Sequence, residues 1–325
     1  MNLDIFRMTT TFKWVRLSQF LILSVLCGLL VACDSKPQPE ANPARDQPGS
    51  LESPYSIYTV NYPLQYFAQR MGGDFVIAHY PGPSDEDPAY WKPDIDTVVE
   101  YQQSDLIILN GVGYASWVRQ MSLPLSKQVD TSAGFADQLL PVTDKVAHTH
   151  GPTGEHVHDD LAFTVWLDPE LASLQAKVIH AALLALLPDQ TEVLDANLLA
   201  LTEELQALDK DLAEAFRPKN ARQIIYSHPV YQYLDRRYEL NGISVHWEPE
   251  AVPSAGEFKQ LENMSGSVMI WEAEPLPEVQ ARLTDMGIAS VVFSPCATQP
   301  DSGPDPKDYL QVMQANVDRI NNALR

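Results

Sequence analysis

Apolar positions recur every three or four residues between 191 and 216: Leu194, Leu198, Leu201, Leu205, Leu208, Leu212 and Phe216. That spacing puts them on one face of an α-helix. At ~1.5 Å per residue a helix of this length spans ~39 Å, longer than a small lobe needs. Pro188 precedes it, and Asp189 with Glu192 three residues on makes a capping-box pattern. Pro218 and Asn220 follow its end.

On either side the period shortens, and brief apolar runs alternate with helical patterns. Before the long helix, strands are expected over 56–61, 75–80, 105–110 and 127–130, with helices over 63–71 and 94–103 and a short one from Trp117. After it, strands are expected over 223–227, 243–247, 268–272 and 290–293 with helices between. A last helix over 308–324 carries Leu310, Met313, Val317, Ile320 and Leu324 on one face. Strands alternating with helices imply parallel sheets with right-handed crossovers. The expected architecture is therefore α/β: two lobes, each a four-stranded parallel sheet flanked by helices, joined by one long rigid helix. The expected boundaries are 55–188 for the N-terminal lobe, 189–217 for the linking helix and 218–325 for the C-terminal lobe.

The start of the chain has another pattern. Lys13 and Arg16 precede an apolar run from Phe20 to Ala32, which is short for a permanent span. Leu30-Val31-Ala32-Cys33 looks like a bacterial lipobox, in which cleavage leaves Cys33 as the lipidated first residue. Residues 1–32 are thus expected to be a lipoprotein signal peptide. Asp34 resembles the signal that keeps Gram-negative lipoproteins in the inner membrane. Residues 33–54, rich in Pro and polar residues, are expected to be a disordered tether.

Charge and cysteine content narrow the function. The net charge of −21 argues against nucleic acid, whose phosphates need a basic surface. Cys27 leaves with the signal and Cys33 carries lipid, so Cys296 remains alone, with no intramolecular disulfide and no thiolate zinc cluster. No His-Glu-x-x-His, Gly-x-Ser-x-Gly or spaced acid pair is present, which points to a binding protein rather than an enzyme.

A short internal repeat suggests where a ligand binds. Asn61-Tyr62-Pro63 resembles Ser227-His228-Pro229, and the next strand in each copy ends in His79-Tyr80 or His246-Trp247. Ligands of open parallel sheets bind outside the carboxyl ends of strands, so Tyr62, His79, His228 and His246 could line one cleft. A second cluster is His148-Thr149-His150-Gly151-Pro152-Thr153-Gly154-Glu155-His156-Val157-His158. It holds four of the eight histidines and suits loose capture of zinc.

At this point the chain resembles the zinc- and manganese-binding lipoproteins that feed ABC importers, over nearly all of 56–325. Asp105-Leu106-Ile107-Ile108-Leu109-Asn110-Gly111, Val165-Trp166-Leu167-Asp168-Pro169, Ser227-His228 through Arg236-Arg237-Tyr238, and Pro249-Glu250-Ala251-Val252-Pro253 carry the resemblance. The resemblance implies two four-stranded α/β lobes on a rigid helix, and a metal held by His, His, His or Glu, and Asp. Here the first position reads Ala89, the second Thr164 and the last Ser294, and only His228 matches. Either the metal is lost or the site is rebuilt. Candidates for rebuilding are Glu272 at a strand end, His79, His246, Glu248, and the acidic run Asp85-Glu86-Asp87.

The resulting expectation is a monomeric, lipid-anchored periplasmic protein of the inner membrane. It captures an ion between its lobes and delivers it to an ABC-type metal permease. Zinc is the first choice, because zinc-binding members of the family often carry a His-rich loop before the Trp-Leu-Asp-Pro segment; manganese follows if oxygen donors dominate. The candidate metal residues are His228, Glu272, His79, His246, His148, His150, His156 and His158. Two alternatives stay open: a same-fold protein that binds an organic ligand through Tyr62, Tyr80, Trp91 or Trp247, and a zinc scavenger or chaperone.

Overall fold

Strand β1 (Tyr55–Thr59) leads into helix α1 (Tyr62–Gly72), where Asn61 accepts the Leu64 N–H as cap and Pro63 sits in the first turn. Strand β2 (Val76–His79) follows, then α2 (Ile95–Gln103), capped by Asp94 through the Thr97 N–H. Strands β3 (Leu106–Leu109) and β4 (Gln128–Asp130) complete a parallel sheet in the order β2-β1-β3-β4. The coordinates are a computed structural model that describes residues 49–84, 86–142, 161–217, 222–300 and 307–324, with the backbone of 148–149 and 155–156. Those last pairs form β5 (His148–Thr149) and β6 (Glu155–His156), an antiparallel ladder with His148 opposite His156.

Helix α3 (Pro169–Leu186) is one the sequence reading missed. Its start is well signalled: Asp168 accepts the Glu170 and Leu171 N–H groups, and Pro169 takes the first helical position. Helix α4 (Thr191–Phe216) has the expected bounds and buries Leu194, Leu201, Leu205, Leu208 and Leu212. The expected capping box is not formed. Pro188–Gln190 makes a tight 3-10 turn that runs into the helix, so Asp189 lies inside helical backbone and the N-cap is Gln190 without a side-chain bond.

The second sheet repeats the first. β7 (Ile224–Tyr226), β8 (Ile243–Ser244), β9 (Val268–Trp271) and β10 (Ala289–Val292) are parallel in the order β10-β9-β7-β8. Read outward from each first strand, both sheets have the strand order second, first, third, fourth. Helices α5 (Gln232–Tyr238), α6 (Ala255–Gln260) and α7 (Pro277–Asp285) intervene, and α8 (Tyr309–Ala323) closes the chain. Helix α8 packs on α4 and reaches α1 of the first lobe. One hydrophobic core therefore runs from Ile57 and Phe67 through the α4 leucines to Phe293 and Met313. A smaller core of Ile225, Met269, Trp271, Trp247 and Phe258 lies on the other face of the second sheet.

Hydrogen bonds and charges also tie the lobes. Trp166 donates from Nε1 to Pro295 O (2.8 Å), Tyr309 from its hydroxyl to Trp166 O (3.0 Å), and Tyr233 to Ala162 O (2.9 Å). Arg236 meets the buried Asp168 at 3.0 Å. Arg237 donates to both oxygens of Asp209 on α4 (2.9 and 2.6 Å) and to Glu170 on α3. Much of the Trp-Leu-Asp-Pro and Arg-Arg-Tyr motifs is thus a clamp between lobes and linker, which opposes hinge motion.

The leader, Cys33, Asp85, His150 and His158 lie outside the described residues, as do the side chains of His148 and His156. Just before β1, Gly49 donates to Ser53 O and Ser53 to Ser50 O in a closed turn.

Candidate functional site

His228 stands two residues beyond β7, and Glu272 directly follows β9, the strand beside it. The chain turns opposite ways from these two central strands, so both side chains sit at the crevice where parallel sheets bind ligands. His228 is only 6 % exposed. Glu272 Oε1 lies 3.3 Å from Nδ1 and accepts its proton, while Glu248 Oε1 lies 3.9 Å from Nε2. The His246 ring meets His228 edge-on, 6.0 Å between centroids. Burial works against the charged imidazolium. The Glu272 hydrogen bond and the charges of Glu272, Glu248 and Asp87 outweigh it, and the His228 pKa is raised.

Asp87 comes from the opposite lobe. Its Oδ1 accepts the Ala89 N–H (2.9 Å), and its carbonyl accepts from Tyr90 and Trp91, so the turn holds the carboxylate in place. Asp87, Phe163 and Thr164 face His228, Pro229 and Val230 across a cavity of about 20 Å³. That is the room of about one water molecule, which suits a single ion better than an organic molecule. Val142 and Leu161, at the two roots of the His-rich segment, line the same cavity.

The positions that hold metal in the resembled family do other work here. Ala89 is buried with no donor atom. Thr164 gives its hydroxyl proton to Val230 O at 2.5 Å, another bond between lobes. Ser294 is engaged with the backbone: its hydroxyl accepts the Cys296 N–H, and its own N–H and carbonyl pair with Asn316.

His79 does not join His228. It is the last residue of β2 and stands directly opposite Tyr58 in the ladder, so its ring stacks on Tyr58 (4.8 Å) with Glu100 as the nearby acid. His246 lies two residues past its strand, in a loop, and does reach His228. Tyr62, Tyr80 and Trp247 are buried in the cores, and Trp91 meets Trp117 edge-on, which leaves little aromatic surface to stack an organic ligand. Glu248 and Asp87, candidates for a rebuilt site in the sequence, both lie near His228. Among the described residues no three His, Cys, Asp or Glu side chains already stand at metal-holding separation.

Two parallel-sheet lobes on a rigid helix, with an ion-sized cavity between the strand ends, define a two-lobe solute-binding protein. The family model described as "Zinc-uptake complex component A periplasmic" matches residues 57–323, and the chain belongs to that family. The zinc-binding lipoprotein AdcA of Streptococcus pneumoniae is 27 % identical over 310 residues, 91 % of this chain and 59 % of that protein. This chain thus spans less than two thirds of that relative. The metal ABC transporter substrate-binding lipoprotein SsaB of Streptococcus sanguinis is 23 % identical over 94 % of this chain and 97 % of its own length. The crystal structure of the Zn(II)-bound ZnuA-like domain of S. pneumoniae AdcA superposes with a TM-score of 0.68 at 21 % identity, covering 84 % of this chain and 99 % of that one. At that identity it speaks for the fold alone.

Proposed function

We propose that this chain is the substrate-binding component of a zinc ABC importer. It takes the ion between its lobes, docks on a membrane permease and releases it, with no bond in the cargo broken. The observation that carries this reading is the buried His228, flanked by Glu272 and Glu248 and facing Asp87 across an ion-sized cavity. His228 is the anchoring ligand, and His246 and the carboxylates complete its surroundings. His148, His150, His156 and His158 gather zinc for the site, a role supported by the place of their segment in the chain between Val142 and Leu161, both on the cavity wall. Cys33 carries the lipid that holds the protein, in its periplasmic compartment, to the inner membrane. The chain works as a monomer. His79 is left out of the ligand set, since it packs on Tyr58.

A zinc titration by calorimetry tests the reading. The intact protein should show one tight site, weakened on the order of 100-fold or more in His228→Ala and retained when residues 148–158 are removed. Binding that survives His228→Ala but disappears with the loop would favour a scavenger instead. No zinc binding at all would defeat the metal reading.

A further inference from the structure

We propose that the ion is held by His228 Nε2, Glu248 and Asp87, and that Glu272 is a positioning residue that fixes the tautomer of His228. This rests on the zinc reading above and names its ligand set. A neutral imidazole carries one N–H and one lone pair. Glu272 accepts from Nδ1 at 3.3 Å, so the proton sits on Nδ1 and the lone pair on Nε2. A carboxylate behind the second nitrogen is how ligating histidines are commonly oriented. Nε2 points to the opposite edge of the ring, where Glu248 Oε1 lies 3.9 Å away. Two donors each 2.0–2.1 Å from one zinc at a tetrahedral angle stand about 3.3 Å apart. Glu248 is 45 % exposed on its side chain and can close that difference by rotating. Glu272, on the far edge of the ring, would have to abandon Nδ1 to reach the same ion.

Asp87 supplies the first-lobe ligand. Its turn fixes it through the Ala89 N–H, and it lines the cavity that His228 closes from the other side. The ion then bridges the lobes through one nitrogen and two carboxylates, whose two negative charges match the dication. The buried Ala89 and Thr164 beside Asp87 carry no imidazole, so oxygen is the donor this part of the first lobe offers. An oxygen-rich set favours harder cations than an imidazole-rich one does. The site should therefore discriminate zinc from manganese less sharply than an imidazole-rich site.

Cobalt(II) loading of the full chain separates ligand from positioning residue, since the visible spectrum of bound cobalt reports its donors. Glu272→Gln keeps an acceptor for Nδ1–H: the cobalt spectrum should be unchanged and zinc affinity should fall less than about tenfold. Glu272→Ala should keep the spectrum and lose about 10–100-fold in affinity. Glu248→Gln and Asp87→Asn should each change the spectrum and lose on the order of 100-fold. Circular dichroism confirms that each variant is folded. A changed spectrum in Glu272→Gln, or an unchanged one in Glu248→Gln or Asp87→Asn, overturns the assignment while leaving metal binding intact. Failure of the unaltered protein to bind zinc or cobalt overturns the metal reading itself.

Discussion

Asp168 offers a sharp test of how the lobes are clamped. It caps α3 through two backbone N–H groups and meets Arg236 at 3.0 Å, with Arg237 farther off at 3.8 Å. Asp168→Ala removes the cap, about 1 kcal/mol. It also removes the Arg236 pair, about 1 kcal/mol because that arginine is partly in water, and leaves N–H groups less well served. The expected loss is about 2–3 kcal/mol. Asp168→Asn should cost under about 1 kcal/mol, since Asn caps as well as Asp. Burial pushes the Asp168 carboxyl above its usual range despite the arginines, so the charge itself adds little. Urea unfolding monitored by circular dichroism reads both values, provided the slope with denaturant is unchanged. At about 2–4 °C per kcal/mol, the Ala variant should also melt about 4–12 °C lower. An Asn variant as unstable as the Ala variant would refute the reasoning and make the ion pair, not the cap, the dominant contribution.

Other outcomes follow from the same physics. Leu201→Ala, at a fully buried α4 position, should cost about 2–5 kcal/mol and leave unfolding a single transition, because one core spans both lobes. Two separate transitions would contradict that core. Zinc affinity should fall with pH, because only neutral imidazole binds metal. The raised His228 pKa puts the onset above the ordinary value of 6.5, and an affinity constant from pH 8 to 5.5 would exclude His228 as ligand. For the unloaded fold the sign reverses: the His228 contribution to stability is present below pH 6.5 and is lost as pH rises through the raised value.

Part of this was readable in the chain. The α4 bounds came through intact because seven apolar residues at helical spacing outweigh any single cap. Its cap was misjudged, since Pro188 opens a 3-10 turn that takes Asp189 out of the cap position. The short repeat was also legible and put His228 near a strand end, while Glu272 was read separately at the end of its own strand; the two strands lie side by side. What the repeat could not give was side-chain direction. His79 ends its strand and projects from the sheet face onto Tyr58, while His246 lies in the loop beyond its strand and turns to the cleft. A shift of one or two residues across a strand end changes which face a side chain meets. The clamp of Asp168, Arg236, Arg237 and Asp209 joins residues far apart in sequence, and local patterns carry no such pairing.

The central claim is that one zinc ion sits between the lobes on His228. Crystals of the zinc-loaded protein, measured on both sides of the zinc absorption edge, test it most directly. The account predicts an anomalous peak about 2.0–2.1 Å from His228 Nε2, on the side facing Asp87. A peak found solely on the segment 148–158, with nothing beside His228, would contradict it.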